Sequence, residues 1–182
     1  PGVSFHYSDL NYLLLAMIVQ EITGNSYHES ARSMIFEPLG LETVYLEWYE
    51  SPRPPTISRT FLGDLEMTAF HTGYDWGGGG FAATIRDQLA LIEGLLNSEL
   101  FADESTLSRM ITGSVDPRNP YGMGITTVTS GGKTWHGHGG AWRNVLMRDP
   151  TAGISISFSL NQASAARSRD TGSIFDRLVQ IT

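Results

Sequence analysis

The chain has 182 residues, 41% of them hydrophobic and 17% charged, enough for one ordinary domain or two small lobes. Twelve basic against nineteen acidic residues give a net charge of -7, which argues against a nucleic-acid or anionic-membrane surface. No apolar run reaches the length of a membrane span, and the absence of cysteine excludes disulfides and thiolate metal sites.

The sequence opens on PGVSFHYSD, without an initiator Met or a signal peptide, and reads as starting inside a fold. Ser8 is placed to cap a helix over Asp9–Thr23, whose Leu10, Leu13, Leu14, Met17, Ile18 and Ile22 keep the helical period until Gly24. SYHE at residues 26–29 is a capping box for a second helix reaching Phe36. EPLGLETV then turns the chain. Residues 49–80 read as irregular, being rich in proline and glycine. TIRD at residues 84–87 predicts another capping box, opening an amphipathic helix through Leu96, and a shorter helix is expected near 104–112.

From Tyr121 the pattern becomes β-rich. YGMGITTVT alternates, SGG turns, and KTWHGH returns; WRNVLMRD, DPTAG and ISISFSL predict a second hairpin. A last helix is expected over about 170–181. The fold class is therefore α+β: a helical lobe over 1–118, then antiparallel strands and a closing helix over 119–182.

Four features bear on function. Tyr7 precedes a helix N-terminus, either as a core residue beside a cap or with its hydroxyl aimed into a cleft. The run GGGG at 77–80 lacks the lysine of a phosphate loop and reads as a flexible turn. His136 and His138, two apart on a strand, share a face; a zinc hydrolase is one reading, but two ligands are too few, and His6, His28 and His71 lie far off in sequence. Gly139 and Gly140 would let a ligand's backbone approach closely, which makes TWHGHGGAW a candidate substrate-lining edge strand.

Five segments, in order, resemble the serine β-lactamase-like family, which includes class C β-lactamases, DD-peptidases and related esterases and aminopeptidases. They are YSDLNYLLLAMIVQEITGNSY, IFEPLGLETV, DWGGGGFAATIRDQLALIEGLLN, YGMGI and GHGGAWRNVLMRDPTAGISISFSLNQ. The resemblance implies a β-lactamase/transpeptidase-like α+β fold and acyl transfer through a serine ester, with no metal or organic cofactor. It makes Tyr7 the proton shuttle and places Asp9 where the family has Asn. His138, Gly139 and Gly140 fall on the family's Lys-Thr-Gly triplet, and Ala141 would give one backbone N–H to the oxyanion hole.

The family's nucleophile lies in a Ser-x-x-Lys motif upstream of the tyrosine. The one such string here, SGGK at 130–133, contains the only lysine and reads as a hairpin turn rather than a helix. The resemblance thus points to the second half of a serine hydrolase, incomplete without its N-terminal part, and to a second chain or a swapped homodimer to supply it. The alternative is an inactive β-lactamase-like binding module or partner subunit. A histidine at the triplet is mostly neutral at pH 7 to 8, and Asp9 adds negative charge. Small esters, amides and peptide-like substrates are therefore expected ahead of anionic β-lactams.

Overall fold

The structure is a computed structural model and describes residues 3–54, 57–70, 72–112, 120–163 and 168–182. Helix α1 (Asp9–Thr23) has the predicted bounds. Ser8 takes the extended backbone of an N-cap, yet its side chain makes no capping hydrogen bond, contrary to expectation. Gly24 closes the helix at φ 70° with its N–H on the Gln20 carbonyl, a left-handed position that glycine occupies without strain. Helix α2 (Tyr27–Ala31) opens on the predicted capping box, with Ser26 and Glu29 bonding each other's backbone N–H. The chain then widens into a π-helical segment (Arg32–Phe36).

Strand β1 (Tyr45–Leu46) pairs antiparallel with β4 (Phe81–Ala82), across the stretch expected to be irregular. That stretch also holds the hairpin β2 (Phe61–Leu62) and β3 (Leu65–Glu66). Gly63, at φ 61°, begins its two-residue Gly-Asp turn. Gly73–Gly78 form a 3₁₀ segment.

The glycine run is no flexible turn. It packs so tightly that side chains are excluded: a Cβ on Gly77 would lie 2.5 Å from the Ala16 Cβ of α1. A Cβ on Gly78 or Gly79 would lie 2.6 or 2.7 Å from the Asp75 carboxylate oxygens. The glycines therefore let the chain lie against α1 and wrap its own carboxylate.

Helix α3 (Ile85–Leu96) starts at Thr84, whose hydroxyl accepts from the Asp87 N–H. The reciprocal half of the predicted box is replaced. The buried Asp87 carboxylate accepts 2.7 Å bonds from both the N–H and the hydroxyl of Thr43, pinning the preceding loop to the helix. Helix α4 (Glu104–Thr112) follows.

The sheet is a meander, β5 (Thr126–Ser130), β6 (Lys133–Gly139), β7 (Asn144–Asp149) and β8 (Ile154–Ser159), in sequence order. SGGK is a hairpin turn, with Gly131 and Gly132 at φ 59° and 73°. Helix α5 (Ser168–Gln180) covers one face, where Trp135, Met147, Phe175 and Val179 form a core. The other face meets the helical part. Leu146 packs there with Ile92, Leu96 and Ile125, and Arg148 bonds Ser155 and pairs with Glu93. Strand alternation puts His136 and His138 on this second face, opposite the buried Trp135.

Candidate active site

Tyr7, Tyr12, Tyr121 and His138 come together where the start of α1 meets the end of β6. Tyr121 lies edge-on to Tyr7, with ring centroids 5.5 Å apart, and edge-on to His138 at 5.5 Å. Tyr7 and His138 lie 6.3 Å apart. Phe5 and Tyr121 close the group at 5.7 Å. A cavity of about 350 Å³ opens beside these rings, lined by Phe5, Tyr7, Tyr12, Tyr121 and Met123 among others. The aromatic faces hold the rings in place, while the hydroxyls remain to make polar contacts.

The electrostatics around the phenols run one way. Partial burial pushes the Tyr7 phenol up from its ordinary value, and the negative charge of Asp9 pushes it further. Asp75 contributes in the same sense. Solvent on the exposed half of Tyr7 screens these effects. Tyr121 is pushed well above the usual phenol range, first by burial and then by its bond with Tyr12. Burial also raises the Asp75 carboxyl, with Asp9 adding to it. Asp9 thus belongs to an acidic, phenolic corner. A phenol so placed is a proton donor near neutral pH; to act as a base it needs a cation beside it. Lys133 cannot be that cation, since it sits at the β5–β6 hairpin, at the other end of β6 from His138.

The histidines are both engaged. The His136 ring Nδ1 and the Thr127 hydroxyl lie 2.9 Å apart, and burial lowers the His136 pKa against an opposing pull from Asp149. His138 uses Nδ1 on the Gly139 carbonyl and Nε2 on the Tyr121 hydroxyl, 3.2 Å away. Among the described residues no group of three or more His, Asp or Glu side chains is arranged around a metal position. His71 lies outside the described residues.

β6 departs from an edge strand along most of its length. β5 covers Lys133–Gly137 and β7 pairs with His136–Gly139, so His138 and Gly139 are open on the β5 side. The next residues form a turn, in which Gly140 N–H bonds Asn144 O at 3.0 Å and Arg143 N–H bonds Gly140 O at 2.9 Å. Both backbone groups of Gly140 are thereby used. The Ala141 N–H has no partner among the described residues, and the residue is exposed.

The most constrained glycine of the segment is Gly137, which sequence reasoning passed over. A Cβ there would stand 1.9 Å from the Leu146 carbonyl oxygen and 2.8 Å from the Met147 sulfur. Tyr12 and Tyr121 were missed as well. Tyr12 sits within a helical repeat and Tyr121 in a β-rich segment, and nothing local signals that their hydroxyls meet.

A family model described as Beta-lactamase matches residues 1–181, and the chain belongs to the beta-lactamase family. Its relatives include a D-aminopeptidase of Gluconobacter oxydans, 28% identical over 176 residues, covering 92% of this chain and 33% of that protein. A D-aminopeptidase of Brucella anthropi is 30% identical over 152 residues, 79% of this chain and 28% of that one. The D-amino acid amidase of Ochrobactrum anthropi SV3, solved with L-phenylalanine, superposes with a TM-score of 0.86 at 21% identity, covering 98% of this chain and 56% of that one. A penicillin-binding protein from Bacillus halodurans gives a TM-score of 0.76 at 20% identity, over 98% of this chain and 57% of that one. The fold is that of the β-lactamase/transpeptidase group. The chain spans about a third of the length of the curated relatives it matches, and somewhat over half of the solved chains.

Proposed function

We propose that this chain supplies the tyrosine, the substrate-lining strand end and an oxyanion amide to a serine hydrolase. That enzyme cleaves esters, amides or peptide-like substrates through an acyl-serine. The observation that carries this reading is the meeting of Tyr7 and His138 at the open end of β6, three residues before the unpartnered Ala141 N–H. Tyr7 exchanges the proton between nucleophile and leaving group. Ala141 N–H receives the negative oxygen of the tetrahedral intermediate. His138, Gly139 and Gly140 line the substrate, and Asp9 orients Tyr7.

The nucleophilic serine and its lysine come from a further segment seated on the outer face of α1. That face is apolar and bare: Leu10 and Ile22 are 66% and 78% exposed, with Leu14, Met17 and Ile18 beside them. A helix carrying Ser-x-x-Lys on that face would cover the apolar stripe and bring a cation toward Tyr7, offsetting the upward push from Asp9.

Substrate preference follows from charge. Asp9 and Asp75 make the corner acidic, and His138 carries no fixed cation. An amide bearing a free α-ammonium suits such a site better than an anionic β-lactam. The D-aminopeptidase relatives are consistent with that preference.

The test is one preparation of the intact protein at pH 7.5, assayed with p-nitrophenyl esters, small D-amino-acid amides, nitrocefin and penicillin G. Higher kcat/KM for the esters or D-amino-acid amides is expected; a preference for either β-lactam overturns the charge argument. This chain on its own is expected to take no label from a fluorophosphonate probe, and burst labelling would place the nucleophile inside it. A second reading, an inactive binding module, is favoured by the absence of any lysine beside Tyr7 in this chain. A preparation that turns over none of the substrates yet binds a peptide-like ligand supports that reading.

A further inference from the structure

We infer that Tyr121, held by Tyr12, is a positioning residue that fixes the orientation and tautomer of His138. The inference rests on the hydrolase reading above and adds two residues to its site. Three contacts carry it. The His138 Nδ1 lies against the Gly139 carbonyl, His138 Nε2 is 3.2 Å from the Tyr121 hydroxyl, and the Tyr121 hydroxyl is 2.9 Å from that of Tyr12.

For the neutral imidazole, donor and acceptor rules set every hydrogen along the chain. A carbonyl oxygen only accepts, so Nδ1 carries the proton. A neutral imidazole has one N–H, so Nε2 is left with a lone pair and must accept from Tyr121. The Tyr121 O–H is thereby spent, and its oxygen accepts from Tyr12. The order is Tyr12 O–H to Tyr121 oxygen, Tyr121 O–H to His138 Nε2, and His138 Nδ1–H to Gly139 oxygen. Each donation polarises the next, which strengthens the chain as a unit.

The chain also ties distant elements. Tyr12 stands on α1, Tyr121 precedes β5, and His138 ends β6, so two hydroxyls hold the open strand end against the helix that presents Tyr7. Tyr7 and Phe5 pack on the Tyr121 ring and limit its rotation. Asp9 and Asp75 act on the Tyr7 phenol, and Asp9 also on that of Tyr121. A held neutral imidazole presents the substrate with a fixed edge, where a lysine would present a mobile cation.

The experiment is nitrogen NMR of histidine-labelled intact protein at pH 8.5, with the His138 signals assigned through His138→Gln. The wild type is expected to show Nδ1 protonated and Nε2 as a hydrogen-bonded acceptor. Tyr121→Phe keeps the ring and its packing and is expected to move Nε2 toward the signal of a free, unprotonated nitrogen. Tyr12→Phe is expected to move it the same way by less. In parallel, kcat/KM for a D-amino-acid amide is expected to fall roughly tenfold to a hundredfold in Tyr121→Phe, the scale of a misplaced site group, and less in Tyr12→Phe. Protonation of Nε2 in the wild type, or an Nε2 signal indifferent to Tyr121→Phe, overturns the inference. Unchanged kcat/KM with a shifted Nε2 overturns the positioning role. Absence of hydrolysis in the wild type with the expected spectra overturns the hydrolase reading instead, and supports the hydrogen-bond chain.

Discussion

Burial and the nearby Asp9 charge both raise the Tyr7 phenol from its ordinary value, and the proton-shuttle role we propose for Tyr7 starts from that protonated state. In the intact protein Tyr7→Phe is expected to lower kcat by about 100-fold or more with little change in KM, the scale of a lost general acid or base. Asp9→Asn removes the nearby negative charge. The Tyr7 phenol should then ionise at lower pH, read as phenolate absorbance in an alkaline titration against the Tyr7→Phe background. An unmoved titration would separate Asp9 from Tyr7. The strand part of TWHGHGGAW was legible because its residues alternate at strand spacing up to the glycines. The contact between Tyr12 and Tyr121 spans 109 positions and was not legible, because a tyrosine within a helical repeat looks like any other half-buried ring. Gly137 was overlooked for a related reason: its constraint is the Leu146 carbonyl across the ladder, which no local pattern announces. Gly137→Ala is expected to cost about 3 kcal/mol or more, from forced separation of β6 and β7, and denaturant unfolding measures it.

At the scale of elements, helices with strong end signals formed where expected. Gly24 and the Ser26–Glu29 box are local chemistry and need no tertiary partner. Asp87 shows the limit of that logic. Its spacing from Thr84 promised a reciprocal box, but burial against the loop at Thr43 offered two donors in place of one. Asp87→Ala strands the Thr43 N–H, leaves its hydroxyl only the Thr84 partners, and is expected to cost about 2 kcal/mol in denaturant unfolding. The 3₁₀ segment makes a pH-dependent contribution. Asp75 has a folded-state pKa above its ordinary value of 3.8 because it is buried beside Asp9. The folded state therefore holds that proton more tightly than the unfolded chain. The resulting stabilisation is complete below about the unfolded value and is lost as pH rises through the folded one. Asp75→Asn is expected to raise the melting temperature at pH 7 relative to wild type, with the advantage shrinking toward pH 3.5. An advantage that grows on acidification would refute the assignment. The hairpin at Phe61–Glu66 escaped sequence reading because proline and glycine nearby masked a two-residue Gly-Asp turn between apolar pairs.

At the scale of the whole molecule, the two faces of α1 differ in a way composition could not show. Its inward side meets the glycine run, while Leu10, Leu14, Met17, Ile18 and Ile22 stand outward. Apolar periodicity identified a helix, but a sequence that is apolar around most of its circumference does not say which side has a neighbour. This chain alone is expected to self-associate, and light scattering with a paired Leu14→Lys, Ile18→Lys variant tests it; a monodisperse wild-type monomer with a cooperative melt would refute it. The meander offers a consequence of another kind. Every pairing in β5–β6–β7–β8 joins neighbours in sequence, so each costs little loop-closure entropy, whereas β1 and β4 must meet across more than thirty residues. The sheet with α5 should thus be the early and most persistent part of the fold. Its amides should exchange with solvent most slowly, while those of α1 open first, leaving the half that carries Tyr7 as the part that arrives last and lets go soonest.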